Sequence, residues 1–122
     1  MKLPKKYVRY NPFKSVYYAS LGVIEAFTRE LNLVFQLGIG VGCIVISILT
    51  GLSEFVLAHV VMIGIVISLE MMNSAFETLC DVVKMEYDER IKVVKDMAAG
   101  SVLISSLVWL AIIIFEFVLI IW

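Results

Sequence analysis

Three long stretches of this sequence contain no Lys, Arg, Asp or Glu. They cover residues 31–53, 55–69 and 97–115. The first and third reach the roughly 20 apolar residues that a membrane-spanning helix needs, and the second does so if it continues into the segment after it. The pattern therefore predicts three transmembrane helices, at about residues 30–50, 54–84 and 91–122.

The composition agrees with lipid as the solvent. Apolar residues make up 61% of the 122 residues and charged residues 17%, against about 45–50% and about 25% in soluble domains. A chain this short leaves much of its surface outside any core, so it cannot hide that much apolar surface from water. We predict a single all-α integral membrane domain over residues 1–122, with no nucleic-acid partner.

The basic residues predict the orientation. Every Lys and Arg either precedes the first span or lies between the second and the third. Basic residues concentrate on the cytoplasmic side of membrane proteins. The N-terminus is therefore predicted to be cytoplasmic and the C-terminus outside, in a multi-pass cell-membrane protein. The ten residues are Lys2, Lys5, Lys6, Arg9, Lys14, Arg29, Lys84, Arg90, Lys92 and Lys95.

Residues 12–29 have apolar side chains at helical spacing, interleaved with polar ones. Asn11 is a suitable N-cap, and Pro12 suits the first turn of a helix. An amphipathic helix on the inner membrane surface is the favoured interpretation, and packing on a soluble partner is the alternative. In the first span, Gly38 and Gly42 form a GxxxG pair that predicts close helix packing, and Gly51 is predicted to end the helix.

A polar cluster follows the second apolar stretch: Glu70, Asn73, Glu77 and Asp81. Spacings of three and four residues place all four on one face of a helix. Ionisable groups at membrane depth are costly and usually mark function. The alternative is that these carboxylates only form ion pairs with nearby basic side chains. For Asp81, the sequence does not favour either interpretation over the other.

Further polar residues open the other two spans at the same predicted level. Glu30, Glu77 and Asp96 are candidate ligands for a hard cation, Lys95 could bind phosphate, and Glu70 could act as a base. Mg²⁺ favours a few carboxylates together with phosphate oxygens, and phosphoryl transfer depends mainly on positioning and charge neutralisation. Neither the P-loop nor the protein-kinase signatures are present, and acidic faces also occur in transporters.

Two motifs resemble those of the bacterial integral-membrane diacylglycerol kinase and undecaprenol kinase family. The first, E-x-x-N-S-A-x-E-x-x-x-D, runs from Glu70 to Asp81, and the second, K-D-M-A-A-G, begins at Lys95. The resemblance covers nearly the whole chain. It implies a homotrimer with active sites between neighbouring subunits, ATP with Mg²⁺ as the phosphate donor, and a lipid alcohol as the acceptor.

The same resemblance implies roles for individual residues. Glu70 would be the catalytic base, and Glu30 and Glu77 would bind the metal. Asn73 and Asp81 would support the active site. The remaining residues implied to contact the nucleotide, beside Glu30 and Glu77, are Tyr18, Glu86, Lys95 and Asp96.

Two departures from the family pattern are present, and two further polar residues have no role in it. The family usually has an aromatic residue and then Arg after the glutamate that Glu30 matches, whereas Leu31, Asn32, Leu33 and Val34 follow it here. Asp88 replaces a usual His, and its charge is expected to weaken ATP binding by about 1 kcal/mol. His59 is predicted to be a hydrogen-bonded packing residue, and Glu116 to reach the outer interface.

Three functions remain open from the sequence. The favoured one is a lipid kinase, with undecaprenol preferred over diacylglycerol because the AAG and GLSEF segments look more like the undecaprenol branch. A small proton-coupled multidrug transporter is the first alternative, although such proteins usually have four spans. The second alternative is a non-catalytic family member, suggested by Val34 and Asp88.

Overall fold

The computed structural model describes residues 11–83 and 86–122, and these residues form four α-helices. The helices are α1 (Pro12–Arg29), α2 (Leu31–Thr50), α3 (Glu54–Val83) and α4 (Glu89–Ile121). Lys84, Lys2, Lys5, Lys6 and Arg9, which helped to predict the orientation, lie outside the described residues.

The helix ends follow local chemistry. The Asn11 side chain accepts hydrogen bonds from the backbone N–H groups of Phe13 (3.1 Å) and Lys14 (3.3 Å), which confirms the predicted N-cap. Glu30 has an extended backbone and separates α1 from α2 by a single residue. Gly51 ends α2 in the left-handed region (φ 80°), which a side chain would make strained.

Within the described residues, α2, α3 and α4 are long and apolar enough to cross a membrane. At about 1.5 Å per residue, α3 and α4 extend about 45 and 50 Å, whereas the hydrocarbon core is about 30 Å thick. Each must therefore continue beyond that core. The polar cluster of α3 occupies the half of the helix that ends at Val83, and Glu70 lies about 24 Å along the helix from Glu54.

The helix α3 packs between α2 and α4. Its core with α4 consists of Met62, Val66 and Trp109, with Ile63 and the 112–113 pair of isoleucines packed against it. Trp109 is only 5% exposed. The core lies in the membrane part of the bundle and holds the polar extension of α3 in place.

Gly40, and not the predicted pair Gly38 and Gly42, makes the close helix contact within the chain. A Cβ at Gly40 would collide with the side chain of Ile63 and lie 3.1 Å from the Trp109 ring. A Cβ at Gly38 or Gly42 would meet nothing within 4 Å. Within the chain, the close approach to α3 is therefore at Gly40, and Gly38 and Gly42 face open space.

We expect Gly40→Val to destabilise the protein by about 2 kcal/mol, because overpacking forces neighbouring side chains and backbone to shift. Gly42→Val is the matched control, since it adds the same side chain to the same helix where there is open space. Reversible unfolding in mixed micelles measures both. Equal effects of the two substitutions would show that helix propensity, and not the contact with Ile63, determines the cost.

A buried polar network joins the three spans near the end of the bundle opposite to Glu70. Glu116 hydrogen-bonds the hydroxyl of Ser47 through one carboxylate oxygen and Nε2 of His59 (2.8 Å) through the other. The indole N–H of Trp109 donates to Nδ1 of His59 at 3.1 Å. Since an indole nitrogen only donates, Nδ1 must accept, and the proton of the neutral ring is on Nε2, facing Glu116.

This network bears on the predictions made for Glu116 and His59. Glu116 is only 3% exposed, so the expectation that it reaches the outer interface was wrong. Its position on the inward face of α4 brings it against α2 and α3. His59, with no exposed surface, is the hydrogen-bonded packing residue that the sequence predicts.

Candidate functional site

The polar face of α3 is buried at its first residue, Glu70, and becomes exposed toward the C-terminal end of the helix. Glu70 is 8% exposed, Asn73 is half-buried, and Glu77 and Asp81 are exposed. The amide nitrogen of Asn32 on α2 donates to Oε1 of Glu70 at 3.3 Å. A neutral amide, and no Lys or Arg within the described residues, is thus the side chain that hydrogen-bonds this carboxylate.

One turn further along α3, Asn73 donates from its amide nitrogen to Oε1 of Glu77 at 3.2 Å. The carbonyl oxygen Oδ1 of Asn73 is buried and has no partner within the described residues. Asn73 thus faces the exposed Glu77 carboxylate with its amide nitrogen, and the buried carbonyl oxygen is at the other end of the same amide. Oxygen atoms of both kinds are ligands of hard cations such as Mg²⁺.

The helix α4 brings two lysines to the same end of the bundle. Nζ of Lys95 donates to Oδ1 of Asp81 on α3 at 2.6 Å, and Nζ of Lys92 lies 3.4 Å from Oδ2 of Asp96, one turn along its own helix. The sequence left open whether Asp81 pairs with a basic side chain, and in the structure it does, with Lys95. Both lysines are already paired, so an anionic ligand would have to compete with the carboxylates.

A cleft of about 310 Å³ opens beside these ion pairs. It lies between the end of α3 and the first two turns of α4 and contains both positive and negative side chains. Its lining residues are Asp81, Glu86, Tyr87, Asp88, Ile91, Lys92, Lys95 and Asp96.

Asp88 has a structural role that the sequence comparison did not predict. Its Oδ1 caps α4 by accepting from the backbone N–H of Arg90 at 2.9 Å. The Arg90 guanidinium also bonds both carboxylate oxygens, at 3.2 and 3.1 Å. Because Arg90 compensates this charge, we expect a smaller penalty for ATP binding than an isolated carboxylate would impose.

We expect Asp88→Ala to lower the free energy of unfolding by about 1 kcal/mol, since the first turn of α4 loses its cap. Asp88→Asn keeps a capping oxygen and should cost much less. Unfolding in mixed micelles measures both. If Asn were as harmful as Ala, the ion pair with Arg90 would be the main contribution of Asp88, and the cap a minor one.

Five predicted site residues do not line the cleft. Three of them, Glu70, Asn73 and Glu77, are on the polar face of α3 described above, and the other two are Tyr18 and Glu30. Tyr18 does not line it and instead packs edge-on against the ring of Tyr17. Glu30 is half-buried, and its backbone forms the turn from α1 to α2. Within residues 11–83 and 86–122, no three His, Cys, Asp or Glu side chains come together as metal ligands.

Comparison with known proteins agrees with the two motifs. The sequence model of prokaryotic diacylglycerol kinases matches residues 17–117. This chain belongs to that family. Similar proteins include a diacylglycerol kinase from Synechocystis sp., 33% identical over 99 residues and 80% of this chain, and an undecaprenol kinase from Bacillus subtilis, 30% identical over 98 residues and 79% of this chain.

The chain spans 57% of the length of the Synechocystis protein and 79% of that of the Bacillus protein. No solved structure matches the chain. Family membership, together with the three apolar helices, indicates a bacterial membrane protein.

Sequence reasoning noted Asn32 only as a departure from the family pattern, not as part of the site. Its amide is the hydrogen-bond donor to Glu70, and the next residue, Leu33, is fully buried. A lone amide in an otherwise apolar first turn was the available signal. It could not be interpreted without knowing how α2 and α3 are aligned.

Proposed function

We propose that this protein is a lipid kinase that transfers the γ-phosphate of ATP to the hydroxyl of a membrane lipid alcohol. The observation that carries the proposal is Glu70, a buried carboxylate at the polar end of α3 that is held by the Asn32 amide. Membership of a family of prokaryotic lipid kinases supports the same activity.

In this mechanism Glu70 removes the proton from the lipid hydroxyl. The oxygen then forms a bond to the γ-phosphorus, and the bond from that phosphorus to the leaving ADP oxygen breaks. Glu70 suits this role because its position near the start of the polar extension lets it meet a hydroxyl attached to a chain in lipid. Asn32 fixes one of its oxygens and leaves the carboxylate without a cation on it.

The cleft is the proposed site for the nucleotide. Because Asp81 and Glu70 are 11 residues apart, about 16 Å along α3, the γ-phosphate would extend out of the cleft along the polar face of α3 toward Glu70. Lys95 can exchange Asp81 for a phosphate oxygen, and Lys92 can do the same with Asp96, since neither ion pair is deeply buried. Exposed ion pairs contribute little, typically about 0–1 kcal/mol. A ligand with several negative charges can therefore displace them. Glu86 is proposed to contact the nucleotide from the rim of the cleft.

A magnesium ion is part of the proposal, with its ligands completed by the phosphates and by a neighbouring copy of the chain, since the described residues of one chain bring no three ligands together. Glu77 and the carbonyl oxygen of Asn73 offer oxygen ligands on one face of α3, and Glu30 would add a second carboxylate. Bound there, Mg²⁺ would neutralise the charge on the phosphates. Asn73 would also hold Glu77 in position.

A homotrimer with the active site shared between chains is part of the proposal. Within one chain, Tyr18 does not reach the cleft, and Glu30 does not join a cluster of ligands. A site completed by a neighbouring copy would bring these residues together. We further propose that α1 lies on the inner membrane surface, the cleft faces the cytoplasm and the C-terminus is outside.

Undecaprenol is the proposed acceptor ahead of diacylglycerol, for which the AAG and GLSEF segments are the support. One relative is named a diacylglycerol kinase and the other an undecaprenol kinase, so the names of the relatives do not decide between the two acceptors. The test is purified protein in mixed micelles with γ-labelled ATP and Mg²⁺, offered undecaprenol or diacylglycerol separately. Label on one lipid identifies the kinase and its acceptor. Folded, trimeric protein that labels neither lipid would contradict the proposal and favour a non-catalytic role.

A further inference from the structure

The buried polar network that the proposed mechanism does not use contains two titratable side chains, His59 and Glu116. Glu116 is 3% exposed, and His59 and Ser47 have no exposed surface. These three residues are on three different helices, each long and apolar enough to cross a membrane. Burying a charge there is costly unless a partner compensates it. The positions of the protons therefore decide how the network can be buried.

Trp109 keeps the ring of His59 uncharged. The indole N–H can only donate, and it points at Nδ1 of His59 at 3.1 Å. A charged ring would have a proton on Nδ1 as well, and two donors would then face each other across that distance. The neutral ring has its one proton on Nε2, which lies 2.8 Å from Oε2 of Glu116. His59 therefore gives Glu116 a hydrogen bond but no positive charge.

No other cation compensates a charge on Glu116. Within residues 11–83 and 86–122, no Lys or Arg forms an ion pair with this side chain. The polar and titratable groups close to it are the hydroxyl of Ser47 and the thiol of Cys43 from α2, and the ring of His59 from α3. None of these groups is positively charged. An ionised Glu116 would thus be an uncompensated negative charge between three helices.

The hydroxyl of Ser47 has one proton and two oxygen neighbours. Its Oγ lies 2.9 Å from the carbonyl oxygen of Cys43, one turn back along α2, and 2.5 Å from Oε1 of Glu116. A hydroxyl donates one hydrogen bond and can also accept, whereas a backbone carbonyl only accepts. For both contacts to be hydrogen bonds, the proton of Ser47 must point to Cys43. The proton of the other bond must then come from Glu116.

We propose that Glu116 is a proton-binding site, with one proton on Oε1 that is donated to Ser47. The hydrogen bonds then run in one direction: Trp109 donates to His59, His59 to Glu116, Glu116 to Ser47, and Ser47 to the carbonyl of Cys43. The network is uncharged, and each of its polar hydrogens has an acceptor. One bound proton per chain thus allows a single carboxyl group to join α2, α3 and α4 inside the membrane. The inference does not depend on the proposed kinase function.

Infrared difference spectroscopy of the purified protein in mixed micelles, at neutral pH, tests this assignment. A carboxylic acid has a C=O stretching band that a carboxylate lacks. The spectrum of the wild type minus that of Glu116→Gln should contain this band, with the intensity of one acid group per chain. Glu54→Gln is the matched control, the same substitution at an exposed position at the start of α3, and should remove carboxylate bands only.

Ser47→Ala is a second variant, in which Glu116 itself is unchanged. It removes the oxygen that accepts the proton of Glu116, so the acid band should shift in frequency and keep its intensity. The proposal is overturned if Glu116→Gln removes carboxylate bands and no acid band, or if Ser47→Ala leaves the acid band where it was. Lipid labelling of the same samples separates the two proposals: an acid band in protein that phosphorylates no lipid would leave the proton site assigned and contradict only the kinase function.

Discussion

Glu70→Gln is expected to lower kcat for phosphate transfer to lipid by about 10³-fold, the scale at which a general base contributes to catalysis. The substitution keeps the size and shape of the side chain. Its carbonyl oxygen can still accept the hydrogen bond from Asn32 that Glu70 accepts at 3.3 Å. What it cannot do is accept the proton of the lipid hydroxyl.

The measurement is the rate of lipid labelling from γ-labelled ATP, with KM for ATP and the melting temperature determined in parallel. Both should remain close to the wild-type values, because the cleft and the core are untouched. Glu54→Gln, at the opposite end of the same helix, is the matched control and should keep full activity. A Glu70→Gln protein that retained a tenth of the wild-type rate would exclude Glu70 as the base.

The spacing of the α3 polar residues was sufficient to predict their shared face. Residues three and four apart share a helix face whatever surrounds the helix. This feature depends on the geometry of a single helix, which the sequence alone determines well.

Contacts between helices could not be predicted in this way. Asn32 and Glu70 are 38 residues apart, and Ser47 and Glu116 are 69 apart. Which side chains meet depends on how each helix is rotated and shifted against its neighbour. The same reason explains why Gly40, and not Gly38 or Gly42, lies against Ile63.

The cap formed by Asp88 is a different kind of omission, because its signal was local. Asp directly before a helix is among the best N-caps, and Arg90 stands two residues later. The family pattern at position 88 indicated only that a His is replaced by a negatively charged residue. Physical reasoning about helix starts would have found both the cap and the compensating cation.

The structure has two separate polar levels along α3. His59 and Glu70 are 11 residues apart, which is about 16 Å along a helix. The apolar core of Met62, Val66 and Trp109 lies between the two levels. Substitutions at the level of His59 should therefore change stability and leave the proposed chemistry at Glu70 largely unaffected.

Glu116→Ala tests that separation and is expected to lower the free energy of unfolding by about 2 kcal/mol. The loss has two sources: a cavity on the inward face of α4, and the unpaired Nε2–H of His59, whereas the hydroxyl of Ser47 still donates to the carbonyl oxygen of Cys43. Unfolding in mixed micelles, with lipid labelling of the remaining folded protein, measures both effects. The rate per folded molecule should stay within about twofold of the wild type, since Glu70 is about 16 Å from His59 along α3.

Glu116→Gln is the control that removes the carboxylate but keeps the network. Its amide oxygen can accept from Nε2–H of His59, and its amide nitrogen can donate to the hydroxyl of Ser47, so both partners remain bonded. We expect it to lose less than half as much stability as Glu116→Ala. If the two variants were equally destabilised, the charge of Glu116 would be what stabilises the bundle. If neither lost stability, the network would not be what joins the three spans.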